Sequence, residues 1–242
     1  MDARYGSVTR GSGSMEDIRS HFEAEAEIYD GNIVRLIPGY REMVGALVSA
    51  LPFEDGAAPR VLDLGCGTGT VARAVLERWP EAELTCLDMS ERMLEMARVK
   101  LERFRKTRYV AADFSVWDGE GPYDAVVSSL ALHHLPDDGA KRSFFSKVHA
   151  LLSPGGAFFN ADVVLSGDPG IQARYLERWR AFMLESVSRA DVDGIWFPSY
   201  EREDRPAILL DQLGWLDEAG FDPVDVVWKR YNFAVYGGKK RV

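Results

Sequence analysis

Apolar and polar residues along this chain fall into two alternating patterns. Between residues 40 and 51, Met43, Val44, Leu47, Val48 and Leu51 recur at three- and four-residue steps, the apolar stripe of an amphipathic helix. Upstream, "MEDIRSHFEAEAEIYD" sets Ile18, Phe22 and Ile28 among acids and predicts a short helix over 15–30, while Pro38-Gly39 interrupts "NIVRLIPGY". From residue 60 the pattern changes. Short apolar runs ("RVLDLG", "AELTCLDM", "TRYVAADF", "YDAVVSSLAL" and "AFFNADVVL") alternate with helical stretches at 70–78, 90–104 and 137–152. Ser90 opens the second of these helices as a natural N-cap. The fourth run is almost wholly apolar, as expected of a strand covered on both faces. This rhythm predicts an α/β fold: a Rossmann-like, doubly wound and mostly parallel sheet.

The rhythm breaks between residues 166 and 206. "IQARYLERWRAFMLESV" reads as a helix with an aromatic-rich face and "GIWFPSYERED" as a loop. "AILLDQLGWLDEAGF" restores a helix, stopped by Gly220, and "DPVDVVWKRYNFAVYGGKK" closes the chain with two strands, for seven in all. Three regions follow. Residues 1–14, containing "RGSGS", read as a disordered leader or tag remnant. Residues 15–55 are N-terminal cap helices, and 56–242 form the core, with a helical lid inserted at 166–206.

Composition then narrows the function. The 242 residues are 46% hydrophobic and 28% charged, with a formal net charge of -9. That balance suits one globular unit and disfavours a nucleic-acid partner, which needs a basic footprint. No apolar run reaches the roughly 20 residues of a membrane span, and no signal peptide opens the chain. The two cysteines, Cys66 and Cys86, are too few for a disulfide framework and lack metal-ligand spacing, so no metal is expected and a reducing, cytoplasmic setting fits. A small-molecule partner is favoured, and a homodimer is compatible with the chain.

The candidate chemistry begins at "VLDLGCGTG". Glycines directly after a parallel strand let a ligand approach the backbone, and the next helix offers free N–H groups. The dinucleotide spacing fails, because its last glycine would fall on Thr70. Asp63 would repel a pyrophosphate but suits a cationic ammonium or sulfonium. Asp88, ending the second strand, is placed to bind ribose hydroxyls. Asp113, ending the third, could accept from an adenine amino group, with Phe114 against the ring. The plain alternatives are a tight strand–helix turn at Gly65, Gly67 and Gly69, a helix cap at Asp88 and a turn former at Asp113.

Taken in order, "VLDLGCGTG", "CLDMS", "AADF", "YDAVVSSLALHHL" and "LLSPGGAF" resemble the motifs of class I S-adenosylmethionine-dependent methyltransferases. "YDGNIVRLIPGY" and "LDEAGFDPVDVVWKRYNFAVYGG" are similar to the branch containing carboxy-S-adenosylmethionine synthase and its uncharacterised relatives. The resemblance implies S-adenosylmethionine as cofactor and S-adenosylhomocysteine as product. It puts Gly65, Cys66 and Gly67 at the methionine moiety, Asp88 and Met89 at the ribose and base, and Asp113 and Phe114 at the adenine. Ser129 stands beside the cofactor, and Tyr40 of "PGY" helps to bind it; core packing is the alternative for Tyr40. The synthases carry an arginine for the extra carboxylate just before "LxxAGF", where this chain has Trp215. They also have a modified glycine loop, where this chain reads "GCGTG".

Ordinary methyl transfer to a small acceptor is therefore expected, by in-line displacement at the sulfonium methyl. The alternatives are cofactor modification of the synthase type and a non-catalytic cofactor-binding subunit. His133 and His134 are the candidate bases, with packing as the bland alternative. Tyr175, Arg178 and Trp179, together with Arg174, Trp196 and Phe197, are candidate acceptor contacts from the lid. For the arginines a solvated, salt-bridged face is the plain reading, and a grip on an anionic group is the alternative.

Overall fold

The computed structural model describes residues 15–119 and 121–242, so the leader at 1–14 lies outside the described residues. Three helices open the described chain: α1 (Met15–Glu25), α2 (Tyr29–Leu36) and α3 (Tyr40–Ser49). Alternating elements follow as β1 (Arg60–Leu64), α4 (Thr70–Arg78), β2 (Glu83–Asp88), α5 (Glu91–Lys100), β3 (Thr107–Ala111), β4 (Tyr123–Ser129), α6 (Asp138–Leu151) and β5 (Leu152–Val163). The lid contains α7 (Pro169–Met183), a short α8 (Arg189–Asp191), a π-helical turn Val192–Trp196 and α9 (Phe197–Glu203). α10 (Leu209–Glu218), β6 (Phe221–Arg230) and β7 (Phe233–Lys240) end the fold. Among the described residues no helix is long and apolar enough to cross a membrane.

The strands form one seven-stranded sheet in the order β3-β2-β1-β4-β5-β7-β6. β1 to β5 pair in parallel, and β7 enters antiparallel between β5 and β6. Because strand side chains alternate between faces, the sheet feeds two cores. Val61, Cys86, Val127 and Phe159 pack with Leu47 of α3 and Val75 of α4. Leu62, Leu87, Val126 and Phe158 pack with Phe145 of α6 and Leu216 of α10. The strand order reverses beside β1, between β2 and β4. At such a switch point the carboxyl-end loops splay apart and leave a crevice.

Two local expectations are corrected. The helix expected over 15–30 is broken between α1 and α2, and Ile28, placed on its apolar stripe, is 57% exposed. The segment "GIWFPSYERED", read as a loop, is helical over most of its length. Pro198 sits in the first turn of α9, where a missing N–H costs nothing. The apolar positions supply the rest of the reason. Trp179 of α7 packs its ring 5.3 Å from Phe197, 5.1 Å from Tyr200 and 5.3 Å from Phe233 of β7. Its indole N–H donates to the Leu36 carbonyl at 2.7 Å. One buried residue thus ties the lid to α2 and the sheet. On the other side, Lys100 bonds Thr68 and Thr70 and pairs with Asp30 at 2.6 Å, fastening α2 to the loop after β1.

Candidate active site

The loop after β1 is shaped by its glycines. Gly65 has φ +65°, and a Cβ there would stand 2.4 Å from the Ala131 Cβ. Gly67, at φ +52°, has nothing within 4 Å of where its Cβ would be, so its open side faces space that a ligand can use. Asp88 clamps this loop to the start of α5. One carboxylate oxygen accepts from Gly67 N at 2.8 Å and the other from Ser90 N at 2.9 Å. Ser90 caps α5 as the sequence indicates, accepting from Met93 N.

Gly65, Gly67, Asp88, Met89, Phe114 and Ser129 line one cleft, together with Leu130, Ala131 and His134. Met15, Ile18 and Phe22 of α1 close it from above and leave about 50 Å³. The cleft is therefore narrow as it stands, and α1 is the element whose outward movement would widen it for a nucleoside-sized group. The chemistry of the lining suits such a group. Met89, Met93 and Phe114 offer apolar contacts, and Asp88 faces the cleft with acceptor capacity to spare.

Asp63 supplies a further observation. It is 1% exposed and its carboxylate makes no hydrogen bond within 3.5 Å, the Ala72 backbone N–H being near enough only to lower its pKa in part. Burial, and then the charge of Asp88, push its pKa up to about 7. A buried acid left without partners is costly, and a cationic ammonium or sulfonium in the cleft would compensate it. The Ser129 hydroxyl is likewise buried and unpartnered.

Asp63 lies behind the cleft lining rather than in it, and three more residues expected at the cofactor lie outside that lining. Tyr40 packs in the α3 core and lines a separate groove with Asp30, Thr70 and Lys100. Burial raises its phenol far above the ordinary range, so it is a neutral hydroxyl. The Cys66 side chain turns into the core, where burial raises its thiol pKa well above normal. Asp113 is half-buried, and its carboxylate accepts from Ser115 N at 2.8 Å in a local turn.

A second chamber, of about 140 Å³, adjoins the cleft. Phe22, Tyr29, Leu130 and His134 line both. Its other walls include Ile33, Leu36, Met183, Trp179, Trp196, Tyr200 and Phe233, with His21, His133, Glu203 and Asp204 at a polar end. Of the lid residues expected here, Trp179 and Trp196 are present. Arg174, Arg178, Tyr175 and Phe197 are not; Phe197 packs instead against Trp179. The two arginines are exposed, and Tyr175 stacks near Tyr231 under Lys229. The helical face that carries Trp179 inward turns the arginines toward water.

The two histidines have different environments. His133 Nδ1 lies 2.5 Å from Asp162, whose other oxygen accepts from His133 N at 3.1 Å, and its Nε2 lies 3.5 Å from Asp204. Burial alone would lower its pKa; the charges of Asp204 and Asp162 outweigh it and raise the value to about 9. His133 is therefore a paired cation. His134 goes the other way. Burial, and then the charge of His133, hold its pKa well below the ordinary imidazole range. Its Nδ1 lies 3.4 Å from the Glu203 carbonyl, which can only accept, so the proton belongs on Nδ1 and Nε2 carries the lone pair. That Nε2 is buried and unpartnered.

Asp162, Glu203, Asp204, His21 and Leu130 were missed from sequence. Asp162 left a signal, a charged residue in the otherwise apolar end of "AFFNADVVL". Asp204 left none, since only the lid brings it to His133. His133, His134 and Asp204 offer ligand atoms within 4.8 Å of one another, close enough to share a metal ion, which sequence spacing did not suggest. His133 and Asp204 already compensate each other's charge there.

Comparison with known proteins gives a consistent picture. Residues 61–156 match the family model described as a methyltransferase domain. The chain is 27% identical over 237 residues to a carboxy-S-adenosyl-L-methionine synthase of Campylobacter hominis, covering 93% of this chain and 97% of that protein. It is 36% identical over 202 residues to a trans-aconitate 2-methyltransferase of Methylobacterium radiotolerans, covering 73% of each. Among solved structures, an O-methyltransferase family protein from Burkholderia thailandensis superposes with a TM-score of 0.65 at 19% identity, over 94% of this chain and 63% of that one.

Proposed function

The chain belongs to the S-adenosylmethionine-dependent methyltransferases, and we propose that it methylates a small molecule held in the 140 Å³ chamber, with His134 as the general base. The observation that carries this reading is the position of His134. It lines both the cleft and the chamber, and its Nε2 is a buried lone pair with no partner.

In this reading Gly65 and Gly67 admit the cofactor to the loop. Asp88 accepts from its ribose hydroxyls, Met89 and Phe114 flank its base, and Asp63 balances its positive charge. S-adenosylmethionine supplies a methyl group already activated on a sulfonium. The protein's tasks are then to aim the acceptor, exclude water and take a proton. Orientation is worth roughly 7–11 kcal/mol, more than the roughly 3–5 kcal/mol of a positioned base. The enclosed chamber is therefore the larger contributor and His134 the smaller. His133, held as a cation by two carboxylates, has no lone pair to offer and serves to position its neighbour.

Cofactor modification of the synthase type is disfavoured by charge. Trp215 stands where that branch has an arginine, and it packs half-buried against the α10 core. No lysine or arginine lines the cleft among the described residues, while Asp88 lines it and buried Asp63 lies nearby. An extra carboxylate would meet only like charge.

The test is release of S-adenosylhomocysteine by the purified protein with S-adenosylmethionine and a panel of small hydroxyl, amine, thiol and carbon acceptors. Acceptor-dependent release supports the reading. No release with any acceptor, from protein that binds the cofactor in calorimetry, would assign it instead as a non-catalytic binding subunit.

A further inference from the structure

We propose that the acceptor is an uncharged, single-ring phenol, an inference that rests on the methyl-transfer reading above and names its substrate class. Charge, size and proton chemistry lead to it separately.

Charge comes first. Among the described residues, no lysine or arginine lines the chamber, and its acids are Glu203 and Asp204. The one firmly cationic lining group, His133, is already matched by Asp162 and Asp204. Glu203 is likewise matched by His21 and Arg202, so a bound carboxylate would be desolvated beside two acids whose partner cations are already engaged, a costly arrangement. Arg174 and Arg178, which an anionic acceptor would need, face water. The relatives named for trans-aconitate and malonyl-[acyl-carrier protein] take acceptors whose names denote acids or acyl groups. The chamber here is built for something else.

Size and shape come next. A cavity of about 150 Å³ lined by apolar side chains holds one benzene ring, and this chamber measures about 140 Å³. Trp179, Tyr200, Trp196, Phe233 and Tyr29 supply aromatic walls. Aromatic pairs favour edge-to-face or offset contact, and Trp179 already makes edge contacts with Tyr200 and Phe233. A planar ring continues that stack, whereas a flexible chain would lose more freedom to fill the same space.

Proton chemistry selects the hydroxyl. His134 lines the wall shared with the cofactor cleft, and its buried Nε2 has no partner, so the acceptor must bring the proton. Phenolic hydroxyls ionise near pH 10, well below aliphatic alcohols, and suit an imidazole whose basicity is held down by burial. The step balances. The phenolic oxygen bonds to the methyl carbon as the carbon–sulfur bond breaks. The phenolic proton passes to His134 Nε2, and the sulfur leaves as a neutral thioether. Later loss of the proton to water restores the base.

The experiment compares 4-methylphenol with 4-hydroxybenzoate on the wild-type protein. Both present a phenolic hydroxyl on one ring, and they differ in the carboxylate. Two readouts are taken: S-adenosylhomocysteine release with S-adenosylmethionine, and equilibrium binding of each phenol to protein saturated with S-adenosylhomocysteine. The expected result is turnover of 4-methylphenol with a kcat/KM more than about tenfold above that of 4-hydroxybenzoate, and the same order in binding. Equal or reversed preference overturns the substrate class while leaving methyl transfer intact. Absence of binding by 4-methylphenol overturns it as well. Selective binding without turnover of any acceptor keeps the class and removes the methyl-transfer reading.

Discussion

His133 and His134 are consecutive in the chain, with ring centroids 4.1 Å apart, yet one is a cation and the other is neutral. Asp162 and Asp204 hold the charge on the first, and that charge helps to keep protons off the second. A stability effect follows. The folded pKa of His133 lies above its unfolded value, so the stabilisation is complete below about pH 6.5 and is lost as pH rises through about 9. Thermal melts of the wild type should therefore fall in Tm between pH 7 and 10. His133→Gln should be destabilised by roughly 3–5 kcal/mol at pH 7, because it leaves buried carboxylates unpaired, and should lose that alkaline slope. A variant as stable as wild type would remove the ion pair from the account.

Asp63 gives the opposite test at the other cavity. Its folded pKa, about 7, lies above the ordinary carboxyl value, so folding favours the protonated form. The cofactor-free protein should lose up to about 4 kcal/mol as pH rises from 4 to 7. Asp63→Asn should flatten that slope and raise the cofactor-free Tm at pH 8, while weakening S-adenosylmethionine. Wild-type affinity for the cationic cofactor should in turn strengthen as pH rises through 7. Calorimetry showing affinity independent of pH between 6 and 8 would show that Asp63 does not answer the positive charge.

The loop glycines separate fold from binding. Gly65→Ala forces a Cβ into Ala131 at positive φ, so it should lower stability by several kcal/mol, as overpacking and strain do together. Gly67→Ala adds a Cβ to open space and should cost only about 1 kcal/mol of stability. Its loss should appear in cofactor affinity. Denaturant melts and calorimetry on the two variants read both quantities, and similar profiles for the pair would contradict the division.

α1 covers the cofactor cleft, so its contacts should set the rate of cofactor entry. His21 Nδ1 lies 3.1 Å from Glu203, linking α1 to the lid, and Glu23 accepts from Glu91 N at 3.1 Å. His21→Ala should speed cofactor association roughly 2–5-fold in stopped flow, the scale of a partly exposed ion pair. An unchanged rate would mean that this contact does not restrain the entry path.

Much of this was legible in the residues because local chemistry fixed it. The apolar runs and intervening helical periods gave the sheet, and the glycines, Asp63 and Asp88 marked the cleft from their place after strand ends. The lid was less legible. "GIWFPSYERED" carries Pro198 and several aromatics, and it becomes helical because Trp179 gathers Phe197 and Tyr200 around it. The same long-range packing turned Arg178 to solvent and Trp179 inward, which no local pattern distinguishes. The difference between His133 and His134 was also hidden. It depends on Asp162 from β5 and Asp204 from the lid, residues brought together only by the fold.

The central claim is that His134 Nε2 takes the acceptor's proton, and its most direct test is the pH–rate profile of wild type beside His134→Gln. With a turned-over acceptor varied at saturating S-adenosylmethionine, the account predicts that wild-type kcat/KM holds level from pH 7.5 down past 6.5 and falls only at more acid pH, since the His134 pKa is depressed. His134→Gln should bind S-adenosylmethionine within about threefold of wild type, lose roughly 10²–10⁴ in kcat and lose the acid limb. A variant that keeps wild-type kcat and the same acid limb would contradict it.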